Sequence, residues 1–361
     1  MNPFIPLFRK PANLFHYSSV VYRVYCELIE TASVQKINSN SNYSNNIMKN
    51  DISIIVVNWN TKTLLINCLN SIYKKIKRLA FEVWVVDNGS SDGSCESVKR
   101  KFPEVKLIQN KYNLGFAKAN NRALTKMNGR YAVLLNSDAL LTEGALEMIV
   151  RFMDSHTEVG ICGGQLLNRN GTKQNSFANF PNLSTELFNK SLLRRLFPKK
   201  YPGKEHNFLS PIEVDSVIGA CMIVKKEAID DVGMLDEDYF FFFEETDWCL
   251  RMKKKGWKIV HLPDAKIYHL QGQTARRINI RARIEYWKSR YIFFEKNYDS
   301  RVIMAILKSG LMVSLLAKVF FNFFINLATL FSHKKSMEKL VLCIRLLEWH
   351  FKGRPEGYGL K

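Results

Sequence analysis

Hydrophobic and polar positions change their period several times after residue 50, and each change marks an element. Residues 51–57, DISIIVV, form an unbroken, largely β-branched run, as in a strand covered on both faces. In TKTLLINCLNSIY that follows, Leu64, Leu65, Cys68, Leu69 and Ile72 recur at helical spacing and predict an amphipathic helix. FEVWVV predicts a second strand, closed by Asp87 and a turn-rich NGSSDGS. VKLIQ predicts a third strand, GFAKANNRALTKM a helix after an NLG turn, and YAVLL a fourth strand ending at NSD. Strands alternating with helices of about ten to fifteen residues predict an α/β fold with a mainly parallel central sheet.

Beyond residue 163 the pattern loosens. Residues 164–212 carry several prolines and little periodicity, which predicts a long loop region. VDSVIGACMIV predicts a strand pair, or one strand with a glycine irregularity. EETDWCLRMKKKG predicts a helix with Gly256 just past its end, and WKIVHL a further strand. From Tyr286 the chain reads as helices. In 301–333, Lys308 and Lys318 break the apolar sequence into pieces of about ten to fourteen residues, short of the ~20 needed for a span. An amphipathic helical pair lying on a membrane is the expectation, with a core-packing hairpin or a span with a snorkelling Lys318 as alternatives.

Residues 1–50 differ in kind. Lys36–Asn50 has nine Asn or Ser in fifteen positions, a linker composition. VVYRVYCELIE upstream could form a short helix without a visible partner. Three regions are expected: 1–50 as a poorly structured extension, 51–300 as the main domain, and 301–361 as a basic, apolar helical tail.

Composition narrows the function. The chain of 361 residues is 47% hydrophobic and 12% aromatic, which excludes wholesale disorder. Its seven cysteines are scattered and form no C-x-x-C, and no charged leader precedes a long apolar run. A reduced, cytosolic compartment is expected rather than a disulfide scaffold. The net charge is +20, and residues 271–361 hold 17 Lys and Arg against 6 Asp and Glu. That excess suits an anionic partner, here an anionic membrane surface. Nucleic acid is not expected, because the basic residues lie beside aliphatic runs rather than base-stacking aromatics.

Candidate chemistry sits where strands end, since open α/β sheets bind ligands beyond their carboxyl edge. Asp87 and Asp138 both stand there. VVNWN, VVDNGSSDGS, NLGFAKANN and LLNSD follow in order at spacings of about 25 residues, and FFFFEETDWCLR comes later. This ordered set resembles the inverting family 2 glycosyltransferases of GT-A fold, near their bacterial rhamnosyltransferase branch, over about residues 51–300. The resemblance implies a GT-A nucleotide-diphospho-sugar transferase fold with C-terminal amphipathic helices. It also implies a nucleotide-sugar donor, dTDP-rhamnose in that branch, and a lipid-linked saccharide acceptor of surface polysaccharide synthesis. The enzyme would lie on the cytoplasmic face of the inner membrane. UDP-galactofuranose, UDP-hexosamine or UDP-glucose stay open as donors. A nucleotidyltransferase is the rival enzyme, but no glycine- and arginine-rich phosphate loop follows Val57.

Roles follow position by position from the resemblance. Asn58 and Asn60 would line the nucleotide pocket, and Asp87 would accept from the N3–H of a pyrimidine. Asn88, Gly89 and Ser90 would form the turn against the nucleotide, and Asn113, Leu114 and Gly115 would open the helix over base and ribose. NSD stands where the family has D-x-D. Asp138 would ligate Mg²⁺ or Mn²⁺, and Asn136 replaces the first acid with one charge fewer. Gly219 and Ala220 would let backbone pass beside the donor. His269 would assist the metal or diphosphate. Glu245 would be the catalytic base, with Glu244, Asp247 and Arg251 in support. From the residues alone, the acids Glu244, Glu245 and Asp247 also suit a helix N-terminus, and Asp247 and Arg251 an i,i+4 pair.

Overall fold

The computed structural model describes residues 50–198, 200–203, 206–270 and 279–360. The expected extension, including its short helix, lies outside them. So do residues 271–278. The described residues belong to one compact unit, Met48–Lys361.

The first half follows the predicted alternation: β1 (Asn50–Asn58), α1 (Lys62–Lys75), β2 (Phe81–Asp87), α2 (Ser94–Lys101), β3 (Lys106–Gln109), α3 (Phe116–Leu124) and β4 (Gly129–Asn136). The second half is β5 (Ala139–Leu141), α4 (Ala145–Ser155), β6 (Val159–Leu167), β7 (Phe177–Ala178), α5 (Leu183–Leu187), α6 (Lys190–Leu196), β8 (Ile212–Glu213), β9 (Ser216–Val217), β10 (Cys221–Lys225) and α7 (Lys226–Val232). It continues through α8 (Glu244–Lys254), β11 (Lys258–His269), α9 (Asn279–Asn297), α10 (Arg301–Ala328) and α11 (Lys334–Phe351).

Among the described residues one large sheet runs β3-β2-β1-β4-β10-β6-β11-β5, with β8 on β11. The block β3-β2-β1-β4 is parallel throughout. Its register places Asn58 opposite Asp87, and Val57 opposite Asn136, so three predicted site residues end neighbouring strands on one edge. β10 inserts antiparallel between β4 and β6, opposing Cys221 to Leu135 and bringing Ala220 beside Asn136. The sheet is buried on both faces. Ile52, Ile54 and Val56 pack against α1, while Ile55, Leu134 and Val224 pack on the opposite side with Trp248. Leu65, Cys68, Leu69 and Ile72 supply the buried face of α1, and Leu64 is only partly covered.

Three expectations change. The segment 164–212 is not simply loop: it completes β6, which is buried along its whole length, and contains α5 and α6. Glycines at 160, 163 and 164 dilute the hydrophobic signal of β6, yet close packing requires them. A Cβ at Gly164 would stand 2.2 Å from the carbonyl oxygen of Ala265. The helices, of five and seven residues, are too short to show a period, and Asn182 and Asn189 cap them. Second, the strand expected at WKIVHL runs on to His269 through an irregularity between Leu262 and Lys266. Third, Lys308 and Lys318 do not divide the tail. Residues 301–328 are one continuous helix, because lysine breaks hydropathy without breaking a helix.

That helix meets the length and composition of a membrane span, with a mean hydropathy of 1.9 in its most apolar window, and only 22% of that window is buried. Leu307, Leu311 and Leu315 face inward with Cys343, Leu346 and Trp349 of α11, against Phe293 of α9. Phe320, Phe321 and Phe324 remain exposed.

Candidate active site

At the carboxyl edge, Asn58, Asp87 and Ser90 lock two loops together. The Asn58 side-chain amide donates to Asp87 Oδ2 at 2.8 Å and to Ser90 Oγ at 3.1 Å, and its Oδ1 accepts from Thr61 at 2.7 Å. The Ser90 backbone N–H donates to Asp87 Oδ1 at 2.8 Å. Each Asp87 oxygen thus takes one protein donor and keeps acceptor capacity. Asn60, in the left-handed region (φ 53°), donates through its N–H to Ser90 Oγ and accepts from Ser91. Gly89 makes the turn between them at φ 77°.

Above this layer lies a cavity of about 380 Å³. Asn88, Asn113, Gly115, Asn136, Asp138, Gly219, Ala220, Glu244, Glu245 and His269 line it. Asn58, Asn60, Asp87, Gly89, Ser90, Asp247 and Arg251 do not; they support the residues that do. Asn88 accepts from Asn110 at 2.7 Å and donates to the Gly115 carbonyl at 3.1 Å, holding the start of α3 over the pocket. Gly115, at φ +85°, lies against Phe240: a Cβ there would stand 2.4 Å from the Phe240 carbonyl oxygen, which accepts from the Phe116 N–H at 2.8 Å.

His269 reaches this cavity because β11 bends and pairs with β5, which sets it opposite Ala139. The Leu270 N–H donates to the Asp138 carbonyl at 2.9 Å. His269 Nε2 is 3.3 Å from Asp138 Oδ1. Its Nδ1 is 3.0 Å from Gln174 Oε1. The Gln174 amide nitrogen donates to the His269 carbonyl at 2.6 Å and to Asn168 Oδ1 at 2.8 Å, which assigns Oε1 as the acceptor and puts the imidazole proton on Nδ1. The Nε2 lone pair then faces a carboxylate oxygen, an arrangement completed by a proton or a cation. Oxygen and imidazole donors fit a divalent ion. Among the described residues no group of three or more such side chains gathers.

The acidic pair opens α8 from an unusual backbone. Phe242 (φ 73°) and Phe243 (φ 70°) are consecutive residues in the left-handed region, a conformation that costs bulky side chains about 1–3 kcal/mol each. Packing holds them there. Tyr286 lies 5.5 Å from the Phe242 ring and 5.2 Å from the Phe243 ring, and Phe293 lies 5.7 Å from Phe243. Ser289 Oγ donates to the Phe241 carbonyl at 2.8 Å. Asp247 and Arg251 fix the helix behind: Arg251 Nε donates to Asp247 Oδ2 at 2.8 Å and Nη2 to the Met234 carbonyl at 2.8 Å, while Asn297 donates to Asp247 Oδ1 at 3.2 Å.

Glu244 is buried and Glu245 half-buried, and each has a buried Oε2 without a hydrogen-bond partner. Burial raises both carboxyls above the ordinary range. Glu244 rises well above it, because the charges of Glu245 and Glu285 add to burial. Hydrogen bonding to the backbone at Gly219 offsets part of the rise at Glu245. Both carboxyls are thus held above the ordinary range, with burial as the main cause.

Several lining residues were not singled out from sequence. Trp59 stands inside a quoted motif, so position alone could have flagged it. Gln174 lies in a segment without a pattern, and nothing local marks it as the partner of His269.

A family model for Glycosyl transferase family 2 matches residues 53–233. An N-acetylglucosaminyl-diphospho-decaprenol L-rhamnosyltransferase of Mycobacterium tuberculosis is 25% identical over 232 residues, 60% of this chain and 75% of that protein. A low-salt glycan biosynthesis hexosyltransferase of Haloferax volcanii is 28% identical over 302 residues, 80% of this chain and 89% of its own. A dTDP-rhamnosyl transferase of Shigella flexneri is 24% identical over 234 residues, 64% of this chain and 73% of its own. Among solved structures, a mannosyltransferase from Pyrobaculum calidifontis in complex with GDP-Man and Mn²⁺ aligns with 90% of this chain and 93% of its own at 16% identity, with a TM-score of 0.49.

Proposed function

This chain belongs to glycosyl transferase family 2, and we propose that it inverts the anomeric centre as it moves a sugar from a nucleotide-diphosphate donor to a lipid-linked saccharide. Similarity to the two rhamnosyltransferases supports dTDP-rhamnose as donor, and the decaprenol-dependent relative supports the acceptor class. Synthesis of a bacterial surface polysaccharide on the cytoplasmic face of the inner membrane fits both. The single observation that carries the reading is Glu245, whose side chain lines the same cavity as Asp138 and His269.

The donor nucleotide rests on Asn88, Asn113 and Gly115, with Asp87 beneath them keeping acceptor capacity for a base N–H. Asp138 and His269 would hold Mg²⁺ or Mn²⁺, which when bound offsets the charge growing on the leaving diphosphate. The acceptor oxygen attacks the anomeric carbon as its proton passes to the Glu245 carboxylate. The bond from anomeric carbon to diphosphate oxygen breaks, and its electron pair leaves with the nucleoside diphosphate. A base buried enough to have a raised pKa is the stronger for it, and one general base suffices for a single displacement.

The exposed aromatic face of α10, with the basic excess around it, supports peripheral attachment to an anionic leaflet. A thermal-shift and turnover panel of dTDP-rhamnose, UDP-galactofuranose, UDP-N-acetylglucosamine and UDP-glucose, each with and without Mn²⁺, tests the whole reading. Stabilisation and transfer should be greatest with dTDP-rhamnose and Mn²⁺. Stabilisation by none of the four overturns the transferase assignment.

A further inference from the structure

A second cavity, of about 350 Å³, lies beyond Glu245. Ile218, Phe242 and Glu245 border both cavities, whereas Glu244 borders only the first. One carboxylate therefore faces two chambers, as a base must if it takes a proton from a molecule in one while that molecule attacks a carbon in the other.

The second chamber has a mixed polar and aromatic lining. Deep in it are Gln165 and Ser176, joined by a hydrogen bond of 2.9 Å. Lys190 and Arg194 of α6 also line it. They are four residues apart on one helix, so their Cβ atoms are about 5–6 Å apart. Asn189 caps that helix by accepting from the Ser191 and Leu192 N–H groups, which fixes its direction. Among the described residues neither cation has an ion-pair partner. The acid nearest in sequence, Glu186, is already committed to Arg290 at 2.9 Å, and both side chains are buried. Outside, the same helix exposes Leu192 and Leu196, with Phe188 and Phe197 at its ends. The preceding helix packs on α10, where a Cβ at Gly310 would meet Leu187 at 2.7 Å. A buried polar pair, two free cations and an apolar exterior occur in the order sugar, diphosphate, hydrocarbon.

We propose that this chamber is the acceptor site and that Lys190 and Arg194 bind the diphosphate joining the acceptor saccharide to its lipid. The chain of that lipid leaves over Leu192 and Leu196. The assignment rests on the transferase reading above and adds the acceptor's place and its anchor. Two exposed cations could equally meet the phosphate of a membrane headgroup, so the test separates these sources.

Full-length wild type and K190Q/R194Q are compared in neutral detergent micelles. The probes are farnesyl-diphospho-N-acetylglucosamine and farnesyl N-acetylglucosaminide, which has the same sugar and chain without the diphosphate. Each lost charge-assisted hydrogen bond is expected to cost on the order of tenfold, so the double variant should bind the diphosphate probe ~30–100-fold more weakly. Its affinity for the neutral glycoside, its affinity for the donor and its melting temperature should not move, and K190R/R194K should restore binding. Equal affinity of both proteins for the diphosphate probe overturns the proposal, and so does an equal loss for both probes. Sedimentation with phosphatidylcholine–phosphatidylglycerol vesicles is the second arm. Loss of vesicle binding with unchanged micellar affinity assigns the cations to headgroups and overturns it too. Binding is read without turnover. A wild type that holds the diphosphate probe through these cations but transfers no sugar would keep this site and refute the transferase reading.

Discussion

Gly115 joins the donor side of the pocket to the segment that delivers the catalytic pair, so alanine there should damage both stability and rate. Two costs add. An L-residue at φ 85°, ψ 175° enters backbone space that only glycine adopts readily, at about 1–3 kcal/mol. The new Cβ would also sit 2.4 Å from the Phe240 carbonyl oxygen and 2.8 Å from its ring. Backbone cannot yield as a side-chain end can, and overpacking of this kind costs about 1–3 kcal/mol. The control is Gly171, at φ +79° in an exposed turn with nothing within 4 Å of its Cβ position. Gly171→Ala should cost only the strain of its own positive φ, with no clash. Urea unfolding of the two variants should place Gly115→Ala lower by about 1–3 kcal/mol at an unchanged slope. Its kcat should also fall at saturating donor, because relief of the clash moves Phe240 and with it the entry to α8, while Gly171→Ala keeps full turnover. Equal stability and equal kcat in the two variants would refute the close approach and the coupling drawn from it.

Other expectations concern the site and the tail. Glu245→Gln should lower kcat by about 10²–10⁴ with donor affinity preserved, and Glu244→Gln by much less; the reverse ranking in steady-state kinetics would move the base by one residue. Because the Glu245 pKa is raised, wild-type kcat/KM should climb with pH through a limb above the ordinary value near 4.5, and a flat profile from pH 4 to 8 would contradict it. Glu244 binds its proton more tightly folded than unfolded, so its contribution to stability is undiminished below about pH 4.5 and lost as pH rises towards the folded pKa. Glu244→Gln should accordingly gain stability over wild type at pH 7 and not at pH 4, as measured by denaturant midpoints. Asp138→Ala should abolish the Mn²⁺-dependent part of donor binding in calorimetry, and Gln174→Ala should weaken it, since the amide sets the His269 tautomer. Replacing Phe320, Phe321 and Phe324 by serine should release the protein from anionic vesicles without lowering its melting temperature, and retained co-sedimentation would discard α10 as the anchor.

Much of this was legible before any coordinates. Asn58, Asp87 and Asn136 end apolar runs that periodicity identifies as strands, and a parallel sheet must align such ends. Glu244 and Glu245 were marked by resemblance to a family motif, since an acidic pair opening a helix equally suits the helix dipole. What stayed hidden depends on contacts distant in sequence. The irregularity near Leu262 that carries His269 to Asp138 involves pairing with residues about a hundred positions away. Gln174 gains its role only through that same pairing. The strand at 159–167 was missed because three glycines, needed for close approach, erase the apolar signal on which strand reading relies. The tail was misjudged in one respect, since hydropathy and helical continuity are different properties and lysine affects only the first.

Phe242 and Phe243 also constrain protein engineering. Their left-handed conformations persist because Tyr286 and Phe293 hold them, and the helix bearing those rings is itself braced by the two that follow. The C-terminal helices are thus a splint for the catalytic acids. Trimming them to obtain a more soluble enzyme would let the aromatic turn relax and turn Glu245 away from both chambers. A chimera that borrows another protein's tail inherits the same demand, so solubility is better sought by recolouring the outer face of α10 than by shortening the chain.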